Sequence, residues 1–266
     1  RIETRSDRLV TIAVLPMMSC AGRLPIYMMF VSALFPSRLQ APVLFGIYAS
    51  GVLLALCCAR LLKNTLFKAP QRDSLHHMKR LRLPSLRKVG ILMWSRAFMY
   101  VRKAGTFILG ASIILWFLNT YPRPEENTAP TNAAAMEHSY AGQIGHWMEP
   151  VTQVAGFDWK INSALVGAFA AKEIFVTQMG ILYAVEDGNS VPAAQQTLNA
   201  RLKASYTPLQ GISIMIFCLI ALPCIGTVTV AKREAGTWWF ALAQFGGLTL
   251  LGFATATLIY QAGLLL

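Results

Sequence analysis

Leu15-Pro16-Met17-Met18-Ser19-Cys20-Ala21-Gly22-Arg23-Leu24-Pro25 and, far along the chain, Leu222-Pro223-Cys224-Ile225-Gly226-Thr227 each set a proline close to a cysteine inside a long apolar stretch. Proline removes a backbone donor and its ring clashes with the preceding turn, so each stretch should kink or unwind where its thiol sits. In hydrocarbon, freed carbonyls are tolerated only when buried in protein or lining a polar cavity. A helix broken at the same depth as a soft ligand is what a membrane cation site requires. The chain reads as part of a transporter.

Composition supports the membrane reading. Of the 266 residues, 55% are hydrophobic and 14% charged, where soluble domains carry about a quarter charged. Charge-free runs lie between Arg38 and Arg60, between Lys103 and Arg123, between Lys203 and Lys232, and from Ala235 onward. Each approaches or exceeds the roughly 20 residues that cross a bilayer. The expected fold is therefore all-α, a polytopic transmembrane bundle with broken helices. The net charge of +12 does not signal nucleic acid, because basic residues concentrate in one loop: from Arg60 to Lys103 there are twelve Lys or Arg and a single acid, Asp73. The positive-inside rule puts that loop in the cytoplasm. The five cysteines form no CxxC, and no signal peptide is present. The chain starts abruptly with Arg1-Ile2-Glu3-Thr4-Arg5, as a piece of something longer would.

Three regions follow. Residues 1–62 hold the first proline–cysteine stretch, expected to break at both Pro16 and Pro25, then a turn at 36–40 and a span at 43–62. Residues 63–103 hold the basic loop, with His76 and His77, and an amphipathic segment at 86–103. There Val89, Leu92, Met93, Ala97, Tyr100 and Val101 recur at helical spacing among Arg87, Lys88, Arg96, Arg102 and Lys103. That pattern is an interfacial helix on an anionic leaflet. Residues 104–266 form the remaining membrane part, with an acidic, outward-facing loop at 121–160 that includes a short surface helix near 140–151. A further loop, containing Asp187-Gly188-Asn189, is expected over 186–207. If 161–185 and 208–230 both crossed, Lys232 and Arg233 would end outside, against the positive-inside rule. A re-entrant or broken element in 161–185 removes the conflict.

Lys172-Glu173 lies at the middle of that apolar segment. Charges at mid-membrane cost about 2.5–3.5 kcal/mol each on insertion scales, so Glu173 is a candidate cation ligand, proton acceptor or gate. The plainer alternative is a structural ion pair with Lys172. Cys20 and Cys224 offer soft ligands suited to transition metals rather than sodium, magnesium or calcium. One or two thiols with freed carbonyls would bind weakly enough to release a transported ion. The plainer reading is that both are small buried apolar residues. Met17, Met18, Ser19 and Arg23 are secondary candidates. Cys57, Cys58 and Cys218 lack a proline neighbourhood and are read as packing. No Walker-A, HExxH or GxSxG pattern occurs, so no nucleotide hydrolysis or other enzymatic activity is read from this chain.

The 15–27 stretch, ending Leu24-Pro25-Ile26-Tyr27, resembles the first gate motif of the bacterial ferrous iron transport protein B permeases, P-x-M-S-C-x-A-R-L-P-V-Y. Lys103-Ala104-Gly105-Thr106-Phe107-Ile108-Leu109 resembles the start of that family's gate domain. Gly156-Phe157-Asp158-Trp159-Lys160, Ala170-Ala171-Lys172-Glu173-Ile174-Phe175-Val176, Pro223-Cys224-Ile225-Gly226-Thr227 and Lys232-Arg233-Glu234-Ala235-Gly236 resemble further elements in order. Ala21-Gly22, Gly226 and Lys172 depart from the pattern. The resemblance implies a multi-pass inner-membrane importer whose cargo is Fe(II), with no bound cofactor. Cys20, Cys224 and Glu173 would lie on its ion path. The family's GTPase-containing N-terminal half would be a separate partner chain or lost by truncation. Lipid is the other expected partner, and nucleic acid is not one. A nucleoside-type carrier and a transport-incompetent assembly partner are the alternative readings. An impermeant thiol reagent added from the periplasm should label single cysteines in 121–160 and spare those in 60–103; labelling of the first loop would overturn this topology.

Overall fold

Pro16 and Pro223 each lie where a helix ends in the computed structural model, which describes residues 5–18, 20–65, 85–122, 137–183, 191–221 and 223–265. Helix α1 (Arg5–Val14) passes into a 3-10 turn over Leu15–Met17, an extended Cys20 (φ −96°, ψ 163°), a second 3-10 turn over Ala21–Arg23, and then α2 (Leu24–Leu34). The break expected at Pro25 is absent. Pro25 occupies the first turn of α2, where a missing N–H has no intrahelical partner to lose. The first stretch therefore holds one unwound segment between its two prolines.

Helix α3 (Ser37–Thr65) begins directly after Pro36 and carries Pro42 inside it, so the expected 36–40 turn is shorter than read from sequence. Helix α4 (Leu86–Thr120) runs 35 residues without interruption. The amphipathic segment and the following span are thus one helix. Helix α5 (Tyr140–Thr152) is capped by the Ser139 hydroxyl, which accepts from Gly142 N, and it ends in a turn closed by Gly156 at φ 81°. There a side chain would collide with the Tyr260 ring, and the positive φ itself favours glycine.

Helices α6 (Trp159–Ala170) and α7 (Lys172–Tyr183) are 12 residues each and separated by an extended Ala171 (φ −151°, ψ 132°). At about 18 Å each, neither crosses a hydrocarbon core of about 30 Å. They fold back on one another: Gln178 Nε2 donates to Ser163 Oγ at 3.4 Å, and its carbonyl oxygen rests over Gly167. Gln178 Nε2 also donates to Asn119 Oδ1 of α4 at 2.9 Å. Residues 159–183 are a helical hairpin with Lys172 and Glu173 at its tip.

The loop expected over 186–207 is partly helical. Helix α8 (Val191–Ser205) packs on α2 with Leu202 fully buried and Leu198 half-buried one turn earlier, a sparse apolar stripe in a polar sequence. Helix α9 (Pro208–Ile220) starts at a capping box between Thr207 and Gln210, and α10 (Ile225–Ala235) stops at Gly236 with φ 78°. Helix α11 (Trp238–Leu265) closes the bundle. By length and composition, Asp7–Leu34, Ser37–Thr65, Pro208–Ala235 and Trp238–Leu265 can each cross a membrane, and a shorter apolar stretch, Leu109–Thr120, ends α4. His76, His77, Ser19 and the Asp187-Gly188-Asn189 stretch lie outside the described residues.

Contacts fix which ends meet. Lys63 Nζ lies 3.3 Å from Asp7, Arg8 is 4.0 Å from Glu234, and Lys232 Nζ sits 4.4 Å from the centre of the Trp238 ring. At the opposite end Leu34 abuts Gly211, Leu209 abuts Gly263 and Tyr260 abuts Gly156. Lys63 and Lys232 therefore share one end of the bundle.

Carbonyls at and beside the breaks find hydrogen-bond partners in side chains. Pro16 lacks the N–H that would have bonded the Ile12 carbonyl. Gln244 Nε2 of α11 donates to Ile12 O at 2.8 Å and Ala13 O at 3.3 Å. Arg23 Nη1 reaches Met18 O at 3.4 Å, and Lys172 Nζ reaches Cys218 O, in the last turn of α9, at 3.3 Å. Gln244→Leu should lower the unfolding free energy in detergent, and with it the midpoint, by up to the cost of an orphaned carbonyl, about 1–3 kcal/mol. An unchanged midpoint would mean that water satisfies the break.

Candidate functional site

The hairpin tip meets the first break at Gly22. A Cβ on Gly22 would stand 2.8 Å from Glu173 Oε1 and 3.9 Å from Cys20 Sγ, so carboxylate and thiol flank one small residue. Only glycine leaves the carboxylate where it is, and this explains a residue that sequence reading registered merely as a departure from a motif. Cys20 and Glu173 are both exposed. Met18 is exposed as well, whereas Met17 is buried in the hydrophobic core.

Cys224 occupies the second break and is half-buried. Its carbonyl accepts from Thr227 N at 2.8 Å and Val228 N at 3.1 Å, which makes it the N-cap of α10. Its sulfur shares a hydrogen bond with Thr227 Oγ1 at 3.2 Å. Thr227 was not singled out from sequence; it is the third residue of α10, from which a side chain can reach back to the N-cap. Glu173 over Gly22 ties the tip to the first break, and Lys172 Nζ on Cys218 O, six residues before Cys224, ties it to the helix end beside the second.

The structural ion pair weighed for Lys172 and Glu173 is not formed. Lys172 turns inward to Cys218 O and is 7% exposed, while Glu173 turns outward to Gly22. Adjacent residues on a helix point about 100° apart, so the two charges serve different surfaces. Among the described residues, no group of three or more His, Cys, Asp or Glu side chains closes around a single point that could hold a metal ion. The two thiols and the carboxylate are dispersed around the tip.

A second polar cluster, missed from sequence, holds the base of the hairpin. Asp158 Oδ1 caps α6 by accepting from Ile161 N at 2.9 Å, and Oδ2 accepts from Tyr206 OH at 2.8 Å. Tyr183 OH lies 3.0 Å from Tyr206 OH, and Lys160 Nζ sits 4.6 Å from the centre of the Tyr183 ring. Burial pushes the Asp158 carboxyl above its ordinary range, opposed by the Ile161 N–H, the Tyr206 hydroxyl and Lys160. Burial likewise raises Tyr206. The available signal was Tyr206, an aromatic residue directly before a capping threonine.

Comparison with known proteins follows the same regions. The family model described as "Gate: Nucleoside recognition" matches residues 101–238, and that described as "Ferrous iron transport protein B C terminus" matches 44–96. The "Fe(2+) transporter FeoB" of Campylobacter jejuni is 36% identical over 246 residues, covering 92% of this chain and 40% of that protein. The "Fe(2+) transport protein A/Fe(2+) transporter FeoB fusion protein" of Porphyromonas gingivalis is 34% identical, over 99% of this chain and 35% of its own length. The Staphylococcus aureus "Fe(2+) transporter FeoB" is 32% identical, over 98% and 37%. The chain thus spans about two-fifths of the curated relatives it matches. No solved structure matches.

A carboxyl raised on folding stabilises below its unfolded range near pH 3.8. That contribution is lost as pH climbs through the elevated folded value. The unfolding midpoint should therefore fall as pH rises through and above the ordinary aspartate range, and Asp158→Asn should flatten that slope. An identical slope in the variant would assign the dependence to another group.

Proposed function

Because the chain belongs to the ferrous iron transport protein B family, over its C-terminal gate region, we propose that it forms the permease of an Fe(II) importer, with Fe(II) passing Cys20, Glu173 and Cys224. The observation that supports the reading is a hairpin tip bearing a carboxylate that lies beside Cys20 at the first break and, through Lys172, on the helix end that leads into the second break at Cys224. Thiols suit a borderline cation such as Fe(II), and the carboxylate supplies attraction. Ligands dispersed along a path bind each ion weakly enough for it to move on, unlike a closed four-ligand cage. Met18 is a secondary, thioether contact at the mouth. Arg23 and Lys172 hold the unwound backbone that carries the thiols.

The protein is a multi-pass inner-membrane protein, and its orientation follows from charge. The end carrying Lys63, Lys232 and Arg233 faces the cytoplasm, with the 121–160 segment outside. The basic residues Arg87, Lys88, Arg96 and Arg102 of α4, interleaved with exposed Trp94 and Phe98, lie on the same cytoplasmic side, where the anionic inner leaflet attracts them. A GTPase-containing N-terminal half, in the same polypeptide or on another chain, is the expected cytoplasmic partner. The fusion architecture of the Porphyromonas relative shows that transporters of this family occur joined to further transport modules.

Uptake of radiolabelled Fe(II), normalised to membrane abundance and measured with the partner half present, tests the path. Cys20→Ser and Cys224→Ser should each lower uptake by about tenfold, the equivalent of ~1.4 kcal/mol of lost affinity. Cys57→Ser and Cys58→Ser should be near neutral. Glu173→Gln should lower uptake per molecule with abundance unchanged. Equal losses at all four cysteines would reduce the thiols to packing groups. Competition by a nucleoside in place of Fe(II) would favour the carrier alternative.

A further inference from the structure

Arg23 and Lys172 are buried cations with too few partners. Arg23 is 1% exposed and Lys172 7%. A guanidinium has five N–H donors and an ammonium three. Here the assigned bonds are one each, both long and both to backbone carbonyls: Met18 O at 3.4 Å and Cys218 O at 3.3 Å. Arg23 Nε is fully buried without a hydrogen-bond partner. Among the described residues, no carboxylate lies within ion-pair distance of either side chain. The nearest acid by placement, Glu173, is exposed and lies over Gly22.

The two cations are also neighbours. Gly22 and Arg23 share a 3-10 turn against which the start of α7 packs, and the carboxylate of the residue after Lys172 lies over Gly22. Two like charges held together away from water repel one another and each forfeits its hydration, a cost that carbonyl contacts alone offset poorly. The arrangement is stable with a negative charge between them. We propose that Arg23 and Lys172, at the junction of the first helix break and the hairpin tip, bind a small monovalent anion of the halide class. A compact ion is the matching class because both donor groups are almost wholly enclosed, with Arg23 Nε and the remaining Lys172 donors to supply its hydrogen bonds. The site adjoins the proposed cation ligands but uses none of them, and its test uses no iron.

The experiment measures the unfolding midpoint of the full chain in lipid nanodiscs as chloride replaces gluconate at constant ionic strength. At about 100-fold excess over Kd, a specific anion should raise the midpoint by about 5–10 °C, saturably. Arg23→Gln and Lys172→Gln should abolish the rise, and Glu173→Gln and the Cys20→Ser, Cys224→Ser double variant should keep it. No chloride effect in the wild type, or one that persists in Arg23→Gln, overturns the proposal. So does an effect that emerges only after Glu173 or the cysteines are replaced, since those groups would then be the counter-charge. Should the arginine variant fail to fold, bromide anomalous scattering from wild-type crystals decides. A peak within hydrogen-bond reach of Arg23 Nε and Lys172 Nζ supports the site, and its absence at saturating bromide removes it.

Discussion

A backbone carbonyl without a donor is intolerable in hydrocarbon, and this bundle is arranged around the carbonyls that its own prolines set free. Gln244 crosses from the last helix to the end of the first, Arg23 bends back on its own break, and Lys172 reaches from the hairpin to α9. Each is a polar side chain that would be costly in a membrane with nothing to bond. The breaks and the buried polar residues are thus mutually necessary. Removing either would leave the other stranded.

This reciprocity explains why Lys172 and Glu173, adjacent in sequence, have opposite duties. At the start of α7 one side chain enters the core and closes a helix end, where a cation is favoured by the exposed carbonyls. The other emerges beside Cys20. The accident of helical geometry that separates them also keeps the carboxylate from being neutralised by its neighbour.

Much of the architecture is legible in the sequence because membrane physics leaves strong marks. Charge-free runs reveal the long helices, and Pro16 and Pro223 reveal the breaks. Pro25 misleads because proline is disruptive inside a helix and harmless at its start, a distinction that depends on where the helix begins. Helix α8 hides because Leu198 and Leu202 are the only pronounced apolar marks in a polar run, and tertiary contact with α2 supplies what local pattern lacks. At the site, Cys20, Cys224 and Glu173 stand out as chemistry out of place. Gly22, Thr227 and Gln244 do not, since their roles are to leave room, to cap and to donate across the bundle. Those roles exist only once distant segments have met.

The uninterrupted α4 has a mechanical consequence. At 35 residues it is about 52 Å long, well beyond the hydrocarbon thickness, so a substantial length projects from the bilayer. Every turn is bonded to the next, and a continuous helix passes torque and axial thrust along its length with little loss. Its far end is clipped to the hairpin through Asn119 and Gln178. A push on the basic stretch around Arg87 and Arg96 therefore arrives, as a stiff strut delivers it, at the element whose tip carries Lys172 and Glu173.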